Sequence, residues 1–140
     1  MKKLFGEFIG NRGAIGLLIV RLIFGMGLML HGYSKIKNPF DWMGQEAPIP
    51  GLLQSLAALS EFGGGLALIL GLLTPIAAFG ITCTMLFAVL GVHVRAGHPF
   101  VGSGGPSYEL AALYLGVALL MLITGPGKYS LDALVFGAKK

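Results

Sequence analysis

Charge is what this chain has least of. Its 140 residues include ten Lys or Arg and six Asp or Glu, 11% charged in all, against 55% hydrophobic. A soluble domain carries roughly 25% charged residues, so this chain has too few to coat a water-facing surface. Cysteine is almost missing as well. Cys83 stands alone, which excludes an internal disulfide and any Cys-x-x-Cys thiol chemistry. No flavin or nucleotide fingerprint and no strong haem motif is present, so redox chemistry would have to come from a ligand or a partner. The net charge of +4 is no nucleic-acid footprint, because the basic residues collect at the ends of apolar runs and form no single stripe.

What the chain has in quantity is apolar length. Four mostly apolar runs lie at about 14–33, 52–73, 76–95 and 108–124, each close to the roughly 18 residues needed to cross about 30 Å of hydrocarbon. They predict an all-α fold: an integral membrane four-helix bundle, forming one domain over 1–140. The connector Thr74-Pro75 is short enough to make the second and third spans antiparallel neighbours. After the last span, "GPGKYSLDALVFGAKK" restarts as a short cytoplasmic surface helix. Ser130 is its N-cap, Asp132 lies in its first turn, and Leu131, Leu134 and Val135 share a face. At the other end, "MKKLFGEFIGNRG" lacks a small-x-small cleavage site after an apolar run. It reads as a retained segment with Leu4, Phe5, Phe8 and Ile9 in the membrane interface.

Four spans put both termini on one side. That side carries Lys2, Lys3, Arg12, Lys128, Lys139 and Lys140, and the other only Lys35, Lys37 and Arg95. The positive-inside bias therefore places both termini in the cytoplasm. Small residues recur every fourth position at Gly63, Ala67 and Gly71, at Gly80, Thr84 and Ala88, and at Ala112 and Gly116. Such stripes let helix backbones approach closely in lipid, inside the bundle or against a second copy.

Ionisable residues within spans face a bundle interior and pair with one another. At about 1.5 Å per residue, Arg21 lies about 12 Å from the inner end of its span and Glu61 about 18 Å from that end of the next. A long arginine side chain covers the difference, so Arg21 is expected to meet Glu61. The pair is either a structural bolt fixing helix register or a charge exposed to a cavity for an anionic or quinone-like ligand. His31, Lys35, His93, Arg95, His98, Tyr108 and Glu109 fall at the outer boundary, where Lys and Arg commonly snorkel. Glu109 is expected to pair with Arg95 or Lys35. His31 and His93 are candidate axial ligands of a haem, and His93, His98 and Glu109 a candidate transition-metal set. Neither spacing matches a stringent motif, so no metal is assigned.

In their order, "RLIFGMGLMLHGYSK", "EFGGGLALILGLLTP", "YELAALYLG" and "GPGKYSLDAL" resemble the DoxX family of small four-span bacterial membrane proteins, over about Arg21 to Leu134. The resemblance implies a multi-pass protein of the bacterial inner membrane. Arg21, His31, Gly32, Lys35, Glu61, Gly64, Gly71, Glu109, Gly127 and Asp132 occupy the family's recurrent positions. The family is associated with terminal quinol oxidase and thiosulfate:quinone oxidoreductase systems, and some members with redox-stress defence. It thus implies a membrane subunit of a quinone-linked or redox-stress-related assembly. The candidate polar site is Arg21, His31, Lys35, Glu61 and Glu109, with His93, Arg95, His98 and Tyr108 as secondary candidates on the outer face. A quinone is the candidate ligand, and a redox protein or a second copy the candidate partner in the bilayer. The alternative is a non-catalytic anchor or assembly protein. A transporter ranks third, since four spans would require oligomerisation. No catalytic residue is assigned, and a stand-alone enzyme is disfavoured.

Overall fold

The computed structural model describes residues 11–44 and 46–137. The interfacial placement expected for Leu4, Phe5, Phe8 and Ile9 lies outside the described residues. Helix α1 (Asn11–Ile36) is followed by α2 (Gly51–Leu70) and α3 (Thr74–Phe87), which continues directly into a π-helix (Ala88–Val94). Helix α4 (Glu109–Thr124) and a short α5 (Leu131–Phe136) complete the chain. No strand occurs among the described residues. Helix α1, helix α2 and the rod Thr74–Val94 are long and apolar enough to cross a membrane, while α4 is a shorter apolar helix. Its 16 residues reach about 24 Å. Hydrocarbon offers backbone groups no water, so only structures that close their own hydrogen bonds survive there. Each long segment does so as a helix.

These helices are apolar all round, as membrane spans are. Leu28, Leu68, Ile81, Met85 and Met121 fill the shared core, while Leu30, Ile76, Phe79 and Ile123 point outwards to where lipid lies. Helices α1 and α2 meet backbone to backbone. A Cβ at Gly65 would sit 2.6 Å from both the Gly25 carbonyl oxygen and the Met29 nitrogen, a contact that only glycine admits. The four-residue stripes mark the contacts only in part: Gly71 meets the Arg21 side chain and Gly80 meets Ser60 of α2. Gly116 has open space around it, and Gly63 faces only Leu59 of its own helix. On a helix apolar on every side, spacing alone does not say which face meets a neighbour.

The α2–α3 reversal falls at Gly71–Leu73, one step before the expected Thr74-Pro75, which instead forms the first turn of α3. Proline is pre-organised for that position. Gly71 takes the left-handed conformation (φ 63°), and the Gly71 and Leu72 N–H groups return to the Leu68 and Ala67 carbonyls, a Schellman closure. The C-terminal segment is stitched onto this turn. The Asp132 carboxylate accepts from the Leu73 and Thr74 N–H groups at 2.7 and 2.8 Å, and the Asp132 N–H donates to the Gly71 carbonyl at 2.8 Å. Asp132 therefore caps α3 from outside it, supplying the acceptor that orphan helix N–H groups need. Ser130 caps α5 as its position predicts, accepting from the Ala133 N–H. Leu134 and Val135 remain exposed on α5.

Arg21 does not meet Glu61. Its Nε donates to the Leu68 carbonyl at 2.8 Å, its Nη1 to the Pro126 and Tyr129 carbonyls at 2.7 and 2.9 Å, and its Nη2 to the Ile69 carbonyl at 3.2 Å. The depths matched, but the directions did not. Side chains on a helix lean toward its N-terminus. On antiparallel neighbours Arg21 and Glu61 therefore diverge, Arg21 toward the end of the bundle at Asn11 and Glu61 toward the end at Ile36. Arg21 then answers carbonyls at the end of α2, sharing that of Leu68 with the Gly71 N–H, and it is only 1% exposed.

Arg21→Gln is expected to lower unfolding free energy by about 3 kcal/mol or more, since charged hydrogen bonds to buried carbonyls are lost. Asp132→Ala should cost about 1–2 kcal/mol, the range for a lost helix cap. Denaturation in detergent, followed by circular dichroism, checks both; an Arg21→Gln variant as stable as the parent would show that these carbonyls find other donors.

Candidate functional site

At the Ile36 end, the last turn of α1 brings Lys35 onto α2. Its Nζ donates to both Glu61 carboxylate oxygens, at 2.6 and 2.7 Å. The Glu61 side chain is 6% exposed and that of Lys35 23%, so the pair is shielded on one side and open on the other. The Lys35 ammonium also sits 4.5 Å from the centre of the Trp42 ring, a cation–π contact. Trp42 is held in place by Gln54, whose carbonyl accepts from the indole N–H at 2.9 Å. The buried Gln54 side chain accepts from the Met43 N–H and donates to the Ile49 carbonyl. One amide thus staples the α1–α2 connector over the end of α2, satisfying its own polar atoms as it does so.

Beneath this connector lies a cavity of about 480 Å³ between α2 and the α3–π rod. The α2–α3 hairpin is closed at its turn and tight where Gly64 meets Ile81; the cavity occupies its diverging arms. Lys35 and Glu61 form its polar wall, and Ser60 and Thr84 also line it. Hydroxyls in apolar helices usually bond back to a carbonyl of the preceding turn. Thr82 and Thr124 do this at 2.7 and 2.8 Å, and no such bond engages Ser60 or Thr84 among the described residues. Leu53, Leu56, Phe79 and Phe87 line the same cavity and are each 50–63% exposed on the bundle's outer surface. The cavity therefore opens sideways, toward lipid. Its upper wall includes Ala88 and Val92 of the π-helix, an irregularity that recurs at functional sites.

The residues singled out from the sequence fall into separate places. Lys35 and Glu61 come together; Arg21 works at the opposite end. His31 packs edge-on against Tyr114, ring centres 6.0 Å apart, while His93 faces His98 with Nδ1 atoms 2.9 Å apart. The two candidate haem ligands thus engage different neighbours. Glu109 pairs with neither Arg95 nor Lys35: Lys35–Glu61 is the ion pair found among the described residues, and the Glu109 N–H donates to the Phe100 carbonyl. Tyr108 stacks edge-on with Phe100. No group of three or more His, Cys, Asp or Glu residues converges among the described residues, so Glu109 does not join His93 and His98. Sequence reasoning missed Trp42, Gln54, Ser60 and Thr84 as cavity residues. Gln54 carried a readable signal, a polar amide inside an apolar span.

Lys35→Met and Glu61→Gln should each destabilise the protein, and the double variant should recover part of the loss. A coupling energy of about 0.5–3 kcal/mol is expected for contacting residues, and a double-mutant cycle on denaturation in detergent measures it.

The chain matches the DoxX family model over residues 16–94. It is 31% identical over 127 residues to "Inner membrane protein YqjF" of Escherichia coli K12, covering 86% of this chain and 92% of that one. It is 30% identical over 129 residues to "Putative oxidoreductase CatD" of Bacillus subtilis 168, covering 90% and 91%. Over 121 residues it is 31% identical to "Inner membrane protein YphA" of Escherichia coli K12, covering 84% of each. No solved structure matches it significantly.

Proposed function

The chain belongs to the DoxX family of inner-membrane proteins, and from that premise we propose that it is the membrane subunit of a redox-linked assembly, with a lateral cavity for a quinone-like molecule. The observation that carries this reading is an apolar cavity that opens to lipid yet holds a charged pair in its wall. A ligand dissolved in the bilayer enters between Leu56 and Phe79 without crossing water. Its polar head then finds the Lys35 ammonium, the Glu61 carboxylate and the free Ser60 and Thr84 hydroxyls, while its apolar part stays against Leu53 and Phe87. Few polar groups in an apolar cleft are what orients a small molecule. The size is in range, since ligand pockets run from about 300 to 1,000 Å³.

A relative's name, "Putative oxidoreductase CatD", agrees with a redox setting. The electrons are carried by the ligand and a partner protein, and this chain binds and orients. Its termini face the cytoplasm in this reading, because Arg12 and Lys128 together with the terminal lysines outnumber Lys35, Lys37 and Arg95 on the other side.

Trp42 is the chain's one tryptophan and lines the cavity, which makes it a built-in probe. Titrating decylubiquinone into the protein in nanodiscs should quench its fluorescence saturably, and the ligand should slow alkylation of Cys83, which shares the cavity. Gly80→Leu, placed where a Cβ already meets the Ser60 hydroxyl at 3.0 Å, should abolish both effects in a folded protein. Quenching that never saturates, and is the same in Gly80→Leu, would refute the ligand reading and favour a non-catalytic anchor.

A further inference from the structure

A second cluster lies beyond the cavity, where the π-helix ends. His93 directly follows the cavity residue Val92 and closes the last turn of the π-helix. The chain then turns through Gly97 (φ 73°), and the His98 N–H donates to the His93 carbonyl at 3.0 Å. That bond fixes the backbone of both residues. It brings the two Nδ1 atoms within 2.9 Å, on rings inclined by 59°. Both histidines are half-buried, and Arg95, Ala96 and Gly97 between them are exposed.

One proton shared between the two Nδ1 atoms accounts for the contact. When both rings carry their proton on Nε2, two lone pairs face each other at that distance instead, a repulsion that a bound cation relieves. Imidazole nitrogen lies about 2.0–2.1 Å from a bound metal. Two such nitrogens at right angles about the metal are then about 2.9 Å apart, and about 3.3 Å apart at the tetrahedral angle. The observed separation, which is also that of an N–H···N hydrogen bond, lies within a few tenths of an ångström of what two adjacent ligands of one metal need, and imidazole suits copper, nickel and zinc. Since no third His, Cys, Asp or Glu completes the group among the described residues, the remaining coordination positions fall to solvent.

We propose that His93 and His98 form a bidentate, solvent-open site for a transition metal that imidazole favours, Cu(II) foremost, since it heads the affinity order of divalent metals at nitrogen sites. The metal takes the place of the shared proton on the turn that presents the two rings. The site stands independently of the cavity and its ligand.

The test is a titration of the untagged full chain in detergent with copper(II) chloride, read by electron paramagnetic resonance. Pyrocarbonate footprinting of the three histidines by mass spectrometry accompanies it. The expected result is one Cu(II) per chain with a tetragonal signal split by two nitrogens, protection of His93 and His98, and no protection of His31. Affinity should fall by about 100-fold in His93→Asn and in His98→Asn, the scale of losing the second arm of a chelate, and stay unchanged in His31→Asn. No stoichiometric binding, a signal with fewer than two nitrogens, protection at His31 alone, or unchanged affinity in folded His93→Asn would each overturn the proposal. If the variants do not fold, the nitrogen count and the footprint on the parent protein decide it.

Discussion

The bundle depends on one guanidinium. Arg21 holds four backbone carbonyls from two distant parts of the chain, the end of α2 and the segment after α4. An unsatisfied carbonyl in an apolar interior costs free energy that no lipid can return. Arginine suits the task because its planar fork carries five donors and keeps its charge. A lysine at this place would offer three donors on one nitrogen, too few for four carbonyls. Asp132 completes the knot by capping α3 across the same turn, so α1, the α2–α3 reversal and the C-terminal segment are fastened together at one end.

The α2–α3 hairpin is narrow at Gly64 and opens beyond Ser60 into the cavity. There a second charged group appears, this time as an ion pair. The difference in chemistry is consistent with the difference in setting. Arg21 is buried and answered entirely by fixed backbone oxygens, whereas Lys35 and Glu61 answer each other and remain partly accessible. A pair of opposite charges next to a lipid-facing opening has no net charge to expel, yet each partner keeps capacity for a further hydrogen bond.

The connector over the cavity is as ordered by polar bonds as the helices are by packing. Gln54 binds three points of it through one residue, and Trp42 lies over Lys35. On the opposite wall the third span changes pitch, and the π-helix carries Val92 into the cavity and His93 to its meeting with His98. Irregular backbone inside a membrane is tolerated where it lines a cavity or is buried in protein, and this rod obeys that rule.

The sequence by itself determined the fold class, because apolar runs of bilayer length leave the backbone only the helix. It also determined the Ser130 cap and the importance of Arg21, since a charge in an apolar run must find a partner. It did not determine which partner. Depth along the axis is readable from residue counts, but the lean of side chains on antiparallel helices sent Arg21 and Glu61 to opposite ends. The stripes of small residues left their partners open for a related reason, since an all-apolar helix carries no label for its inward face: Gly71 and Gly80 meet neighbouring elements, Gly63 and Gly116 do not. The cavity, and the placing of the Ser60 and Thr84 hydroxyls in its wall, belong to the tertiary structure alone. They arise where separate segments are brought together, and no local pattern in the chain encodes a gap between two helices.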